Sequence, residues 1–143
     1  MRISDILRHK GAEVQTVRGD ATVADLLARL SNHNVGALVV SDDGETVAGI
    51  VSERDVVRRL HIEGGNILQH RVREIMTADV ATCDPSHAVD DLMRLMTERR
   101  IRHVPVLVDG RLAGIVSIGD VVLHRVGELE DERHQLESYI SGG

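Results

Sequence analysis

The stretch GIVSERDVV, residues 49–57, returns as GIVSIGDVV at residues 114–122. Seven of the nine positions are identical, and Ala48 and Ala113 precede the two copies. The echo extends outward. Val23, Asp25 and Leu26 reappear 66 positions later as Val89, Asp91 and Leu92, and Val40, Asp43 and Gly44 as Val106, Asp109 and Gly110. One residue dropped in the following turn shortens the offset to 65 for the nine-residue block. The chain therefore writes one unit twice between residues 3 and 125. Stacked solenoids need more and shorter repeats. Two copies packed about a pseudo-twofold axis are the simplest arrangement.

Each copy predicts the same elements. Val23, Leu26, Leu27 and Leu30 fall at helical spacing, as do Val89, Leu92, Met93 and Met96. Two short Val-rich runs follow in each copy. VGALVV (35–40) and HVPVLV (103–108) run into the turn signals SDDG and VDG. VAGIVS (47–52) and LAGIVS (112–117) come next, and a helix is predicted to begin at each serine. Short strands are expected over Val14–Val17 and Val80–Thr82, ahead of the first helix of each copy. The fold class is α+β: two β-α-β-β-α units, residues 3–65 and 72–125, then a helical extension over 126–143. HIEGGNILQH (61–70) joins the units, with Gly64-Gly65-Asn66 as helix stop and turn.

Composition excludes several function classes. A length of 143 residues suits one compact domain or two small units sharing a core. There is no Trp or Phe, so the core is aliphatic, and apart from Tyr139 near the C-terminus no aromatic plane is available for stacking a base. The net charge of −6, with Glu128, Glu130, Asp131, Glu132 and Glu137 near the C-terminus, argues against nucleic acid as a partner. Cys83 is the only cysteine, which excludes an intrachain disulfide and reads as a small buried hydrophobe. Met76, Met93 and Met96 occupy apolar positions and read as core. No apolar run approaches membrane-spanning length, and MRISDILRHK lacks the apolar centre of a secretion signal. A cytoplasmic location and no membrane partner are expected. No P-loop, GxGxxG, HExxH or CxxC pattern occurs, so neither an enzyme nor a metal site is expected.

The repeated Ser-x-x-Asp has two readings. It is a capping box, in which the serine accepts a backbone N–H and the acid reaches back. Thr22-x-x-Asp25 has the same form and reads only as a cap. The same geometry also suits a nucleoside phosphate. A helix N-terminus favours phosphate, a serine hydroxyl can bond it, and an aspartate can accept both hydroxyls of a ribose diol.

The doubled GIVSERD and GIVSIGD, with VREIMTADV (72–80) and RIRHVPVLVDGRLAGIVSIGDVV (100–122), resemble the cystathionine β-synthase (CBS) domain pair. The resemblance covers residues 3 to 125, nearly the whole chain. It implies two clefts between paired sheets that take adenosine ligands: AMP, ADP, ATP, NAD(H) or S-adenosylmethionine. By resemblance, Asp55 and Asp120 hold ribose hydroxyls, with Ser52 and Ser117 near ribose and phosphate. Thr77, Ala78, Ile101 and Arg102 would join the first pair, and Lys10, Val14, Val35 and Gly36 the second. His103 stands where some members place a phosphate-binding arginine. The implied role is ligand sensing and regulation of a partner protein. The alternative is a structural interaction protein with vestigial clefts.

The copies also differ. The first unit opens LRHKG, without the Met-Thr of the second, and Val39 stands opposite Pro105. Arg54 and Arg58 flank the first motif, while Ile118 and Gly119 fill the second. Two unequal sites are expected, the first with the stronger hold on charged nucleotide. Val122, Val126, Leu129, Leu136 and Ile140 form an a/d-like seam along the last helix, with Arg133 at the missing position. That seam reads as a helix edge packed on its own domain or as the contact of a homodimer.

Overall fold

The computed structural model describes residues 1–11 and 13–142. Helix α1 (Ile3–Lys10) is followed by β1 (Thr16–Val17), α2 (Val23–His33), β2 (Ala37–Val40), β3 (Gly49–Ser52) and α3 (Glu53–Glu63). A 3-10 turn (Gly64–Gln69) leads to α4 (Val72–Ile75), α5 (Val89–Arg99), β4 (His103–Val108), β5 (Arg111–Ser117) and the long α6 (Ile118–Ser141). Among the described residues no helix is long and apolar enough to cross a membrane.

In the first sheet β1 runs parallel to β2, and β2 pairs antiparallel with β3, placing Ala37 opposite Ser52. The second sheet is the antiparallel pair β4–β5, placing His103 opposite Ser117, with a register shift at Val106/Leu107. The strand expected over Val80–Thr82 does not form. Only Cys83 bridges to Val106, because its N–H and carbonyl bond Pro105 and Leu107 while the residues before it pair with nothing in the sheet. Likewise, the strand expected over Val14–Val17 is confined to Thr16–Val17.

Two aliphatic cores form, as the periodicity predicts. Val23, Leu26 and Leu30 of α2 pack with Leu38, Val40 and Val51. Val89, Leu92 and Met96 of α5 pack with Val104, Val106 and Val116. Burying each such side chain contributes about 1.5–3 kcal/mol before the entropy of ordering is subtracted. Both helices end in a left-handed residue, Asn34 or Arg100, at equivalent positions. The following N–H then bonds back to Leu30 or Met96, which aims each chain into its strand.

The opening helices are exchanged between the units. Ile3 and Ile6 of α1 are buried in the second core, while Val72 and Ile75 of α4 are buried in the first. The backbone bonds that fix them match one for one. Ile3 N donates to His87 O, Ser4 N to Pro85 O, and Val89 N to Met1 O. In the other half Val72 N donates to Ala21 O, Arg73 N to Gly19 O, and Val23 N to His70 O. This crossover brings each opening segment beside the opposite unit's final strand.

Candidate functional site

Both repeated motifs do cap their helices. Ser52 Oγ accepts from Asp55 N at 3.4 Å, and Asp55 Oδ2 accepts from Ser52 N at 2.9 Å and from Ser52 Oγ at 3.1 Å. Ser117 Oγ accepts from Asp120 N at 3.1 Å, and Asp120 Oδ2 accepts from Ser117 N at 2.8 Å. Thr22 and Asp25 make the same exchange on α2. Capping uses only Oδ2 of Asp55 and Asp120, so their Oδ1 atoms point to neither serine.

The helix N-termini are less open to phosphate than the bare motif suggests. Glu53 N donates to Gly36 O at 3.0 Å, and Ile118 N to Arg102 O at 2.8 Å. With the third amide taken by the serine, the second, on Arg54 or Gly119, is the donor left facing outward in each first turn among the described residues.

The glycine opening each motif has a packing reason. A side chain on Gly49 would sit 2.6 Å from Met76 Sδ and 2.7 Å from Thr77 O. One on Gly114 would sit 2.7 Å from Leu7 Cδ2. These are the crossing points of the exchanged segments. At the first, Ile50 and Thr77 exchange backbone bonds of 3.0 and 2.9 Å, placing Thr77 on the strand edge two residues before Ser52. Ala78 follows it and is exposed. Ile101 packs at the fringe of the second core, and Arg102 is exposed and engages α6 through its carbonyl. Arg54 and Arg58 are exposed on α3, with no ion pair among the described residues.

Around the second motif the structure brings several of the expected residues together. Lys10 Nζ lies 2.5 Å from Asp120 Oδ2. Burial acts to raise the Asp120 pKa, but the Lys10 bond, the Ser117 N–H and the Lys10 charge outweigh it and hold the carboxyl below its usual range. His103 lies near the pair. Burial pushes its pKa down, the Lys10 charge adds to that, and Asp120 and Glu53 pull the other way. A Cβ on Gly36 would lie 3.8 Å from His103 and 3.9 Å from Glu53, ordinary contact distances that put both side chains beside it. Val35 lies at the fringe of the first core and Val14 is half-buried in the segment before β1.

Glu53 was not among the residues expected here. The signal for it was present, since it occupies the first helical position of the repeated motif. Lys10 and Asp120 also border a hollow of about 370 Å³ between α1 and α6, with His9 and His124 on its walls. A hollow of about 530 Å³ between β1 and α2 holds none of the motif residues. Cys83 is buried, and its thiol is pushed up to about 12, chiefly by that burial. It is a packing residue, unreactive as a thiolate. Among the described residues no cluster of His, Cys, Asp and Glu is placed to hold a metal ion.

Comparison with known proteins agrees with this architecture. The mitochondrial CBS domain-containing protein CBSX3 of Arabidopsis thaliana is 41% identical over 99% of this chain and 72% of its own length. The crystal structure of a CBS-domain containing protein from Agrobacterium tumefaciens superposes with a TM-score of 0.84 at 44% identity, covering 87% of this chain and 99% of that one. The CBS domain pair of protein MJ0100, solved in complex with 5′-methylthioadenosine and S-adenosyl-L-methionine, shares the fold at a TM-score of 0.74 and 24% identity, over 90% and 98% of the two chains. The sequence model of the CBS domain matches residues 3–62 and again 72–127, so the chain belongs to the CBS domain family and carries the domain twice.

Proposed function

We propose that this protein is a regulatory CBS pair that binds adenosine ligands of the AMP, ADP, ATP, NAD(H) or S-adenosylmethionine class. The observation that carries this reading is the doubled Ser-Asp cap, which leaves one oxygen of Asp55 and of Asp120 outside the cap. An aspartate so held is pre-oriented for a ribose diol. The adenosine compounds bound by the MJ0100 pair support the ligand class. In the first cleft Ser52 and Asp55 act with Arg54, Arg58, Thr77, Ala78, Ile101 and Arg102. In the second Ser117 and Asp120 act with Lys10, Val14, Val35, Gly36 and His103. A ligand gripping residues from both units favours whichever arrangement it binds better, and that shift is the regulatory output. The reading assigns the two clefts ligand binding and no catalytic step.

Thermal melts with AMP, ATP, NADH and S-adenosylmethionine test the proposal. At a ligand concentration near 100 times Kd the expected stabilisation is about 2.7 kcal/mol. Asp55→Ala with Asp120→Ala abolishes the shift if the caps hold ribose. No shift with any of these compounds on the unaltered protein would sink the reading.

A homodimer is part of the proposal. Val122, Val126, Leu129, Leu136 and Ile140 all lie exposed along α6, so the seam is not packed on its own unit. It extends past the last residues that touch the core, as a subunit contact would. A monomer by light scattering at micromolar concentration would remove the dimer and leave the ligand reading standing. If the double aspartate variant keeps the dimer and the unaltered protein binds no ligand, the structural interaction role is the correct one.

A further inference from the structure

The two motif aspartates stand in different electrostatic states. Asp55 oxygens meet only Ser52, and among the described residues no cation pairs with them. Asp120 Oδ2 carries the Lys10 ammonium at 2.5 Å. The contact spans 110 positions of sequence and joins the end of α1 to the first turn of α6. Both side chains keep partial exposure, 29% for Lys10 and 23% for Asp120, so the pair opens to solvent without unpacking a core. The matched backbone bonds of the opening helices make Ile3 the equivalent of Val72, but α4 ends at Ile75 and Met76 turns extended, whereas α1 runs on as helix to Lys10. Lys10 therefore stands on a stretch of helix that the first cleft's opening segment does not form.

We propose that Lys10 makes the second cleft selective for phosphate-bearing adenosine ligands over uncharged ones, by occupying the Asp120 carboxylate until an anion draws it away. The proposal rests on the adenosine reading of the clefts. The ribose diol docks on Asp120 Oδ1, the oxygen outside the cap, and the ammonium on Oδ2 draws off the negative charge that makes that carboxylate a strong acceptor. A phosphate offers that ammonium a new partner, and its four-carbon stem allows the swing. Release of Asp120 and capture of phosphate are then one exchange. A neutral nucleoside offers nothing in return and competes against the intact ion pair. In the first cleft Asp55 needs no such release.

Isothermal titration with AMP and with adenosine reads the effect. Asp55→Asn retains a capping oxygen on α3 and confines binding to the second cleft. In that background AMP binds and adenosine binds far more weakly. Adding Lys10→Met is expected to weaken AMP and, in the opposite direction, to strengthen adenosine by roughly two- to fivefold as Asp120 is freed. Lys10→Arg keeps the AMP preference. The rise for adenosine is the deciding readout, because loss of a mere phosphate contact would leave it unchanged. Adenosine affinity unchanged or lowered by Lys10→Met overturns the role of Lys10 alone. Binding of neither ligand by the unaltered protein overturns the adenosine reading and this inference with it.

Discussion

The two units carry the same phrase and fold it the same way, but their surroundings part company within one residue of it. In the first unit Gly49 lies under the Thr77 carbonyl, a backbone atom held in place by two hydrogen bonds with Ile50. In the second Gly114 lies under a methyl of Leu7, the free end of a side chain. The first aspartate bonds Ser52 with no cation beside it among the described residues, and the second is also paired with Lys10. Where the first unit has Ala37, the second has His103. Near-identical strand ends thus present one aspartate without an ion pair and one held by a lysine. The cause is the exchange of opening segments. Each motif faces a segment from the other half of the chain, and those segments are the least alike parts of the repeat.

Breaking the exchange should have the largest effect. Ile6→Ala and Ile75→Ala each empty a buried position in the opposite unit's core, and each is expected to cost about 2–5 kcal/mol. Hydrogen exchange separates the two. Ile6→Ala should release protection in β4 and β5, and Ile75→Ala in β2 and β3. Loss confined to each mutated helix's own unit in sequence would contradict the exchange.

Smaller effects should separate the crossing points. Gly49→Ala drives a methyl against Thr77 O and is expected to cost about 1–3 kcal/mol. Gly114→Ala should cost clearly less, because a Leu7 methyl can rotate aside. Urea denaturation of the two variants gives the order, and equal losses would show that both segments yield alike.

The smallest effect is the pH dependence of His103. Its folded pKa lies below the ordinary 6.5, from burial first and Lys10 next, against Asp120 and Glu53, with Arg102 adding to the depression. As pH falls through about 6.5 the unfolded chain takes up a proton that the folded chain resists, so stability declines until the folded pKa is passed. His103→Gln should flatten the denaturation midpoint between neutral and mildly acidic pH. An unchanged slope would mean that other groups set it.

Much of this was legible in the residues alone. The repeat, the helical faces of α2 and α5, the four long strands and the caps at Ser52 and Ser117 are local patterns, and local patterns survive in any tertiary context. The short strand before α5 was misread because Val80–Thr82 has strand composition but no partner within reach. A strand requires a neighbour, and composition does not supply one. Helices α1 and α4 escape a periodicity reading because each fully buries only two side chains, too few to show a period.

The candidate site divides the same way. That Asp55 and Asp120 are special could be read from their repetition, since a phrase repeated in register implies an environment repeated in space. That Lys10 belongs beside Asp120 came only from the family resemblance, because the contact closes 110 positions of chain and exists only through the exchange of α1 onto the second core. Sequence by itself determined the two-unit architecture, the aliphatic cores and the paired caps, all of which depend on neighbours within a few residues. Tertiary structure alone decided the contacts each exchanged segment makes with its motif, and with them the ion pair at Asp120. Electrostatic contacts act through space, and the spacing of residues along the chain carries no record of them.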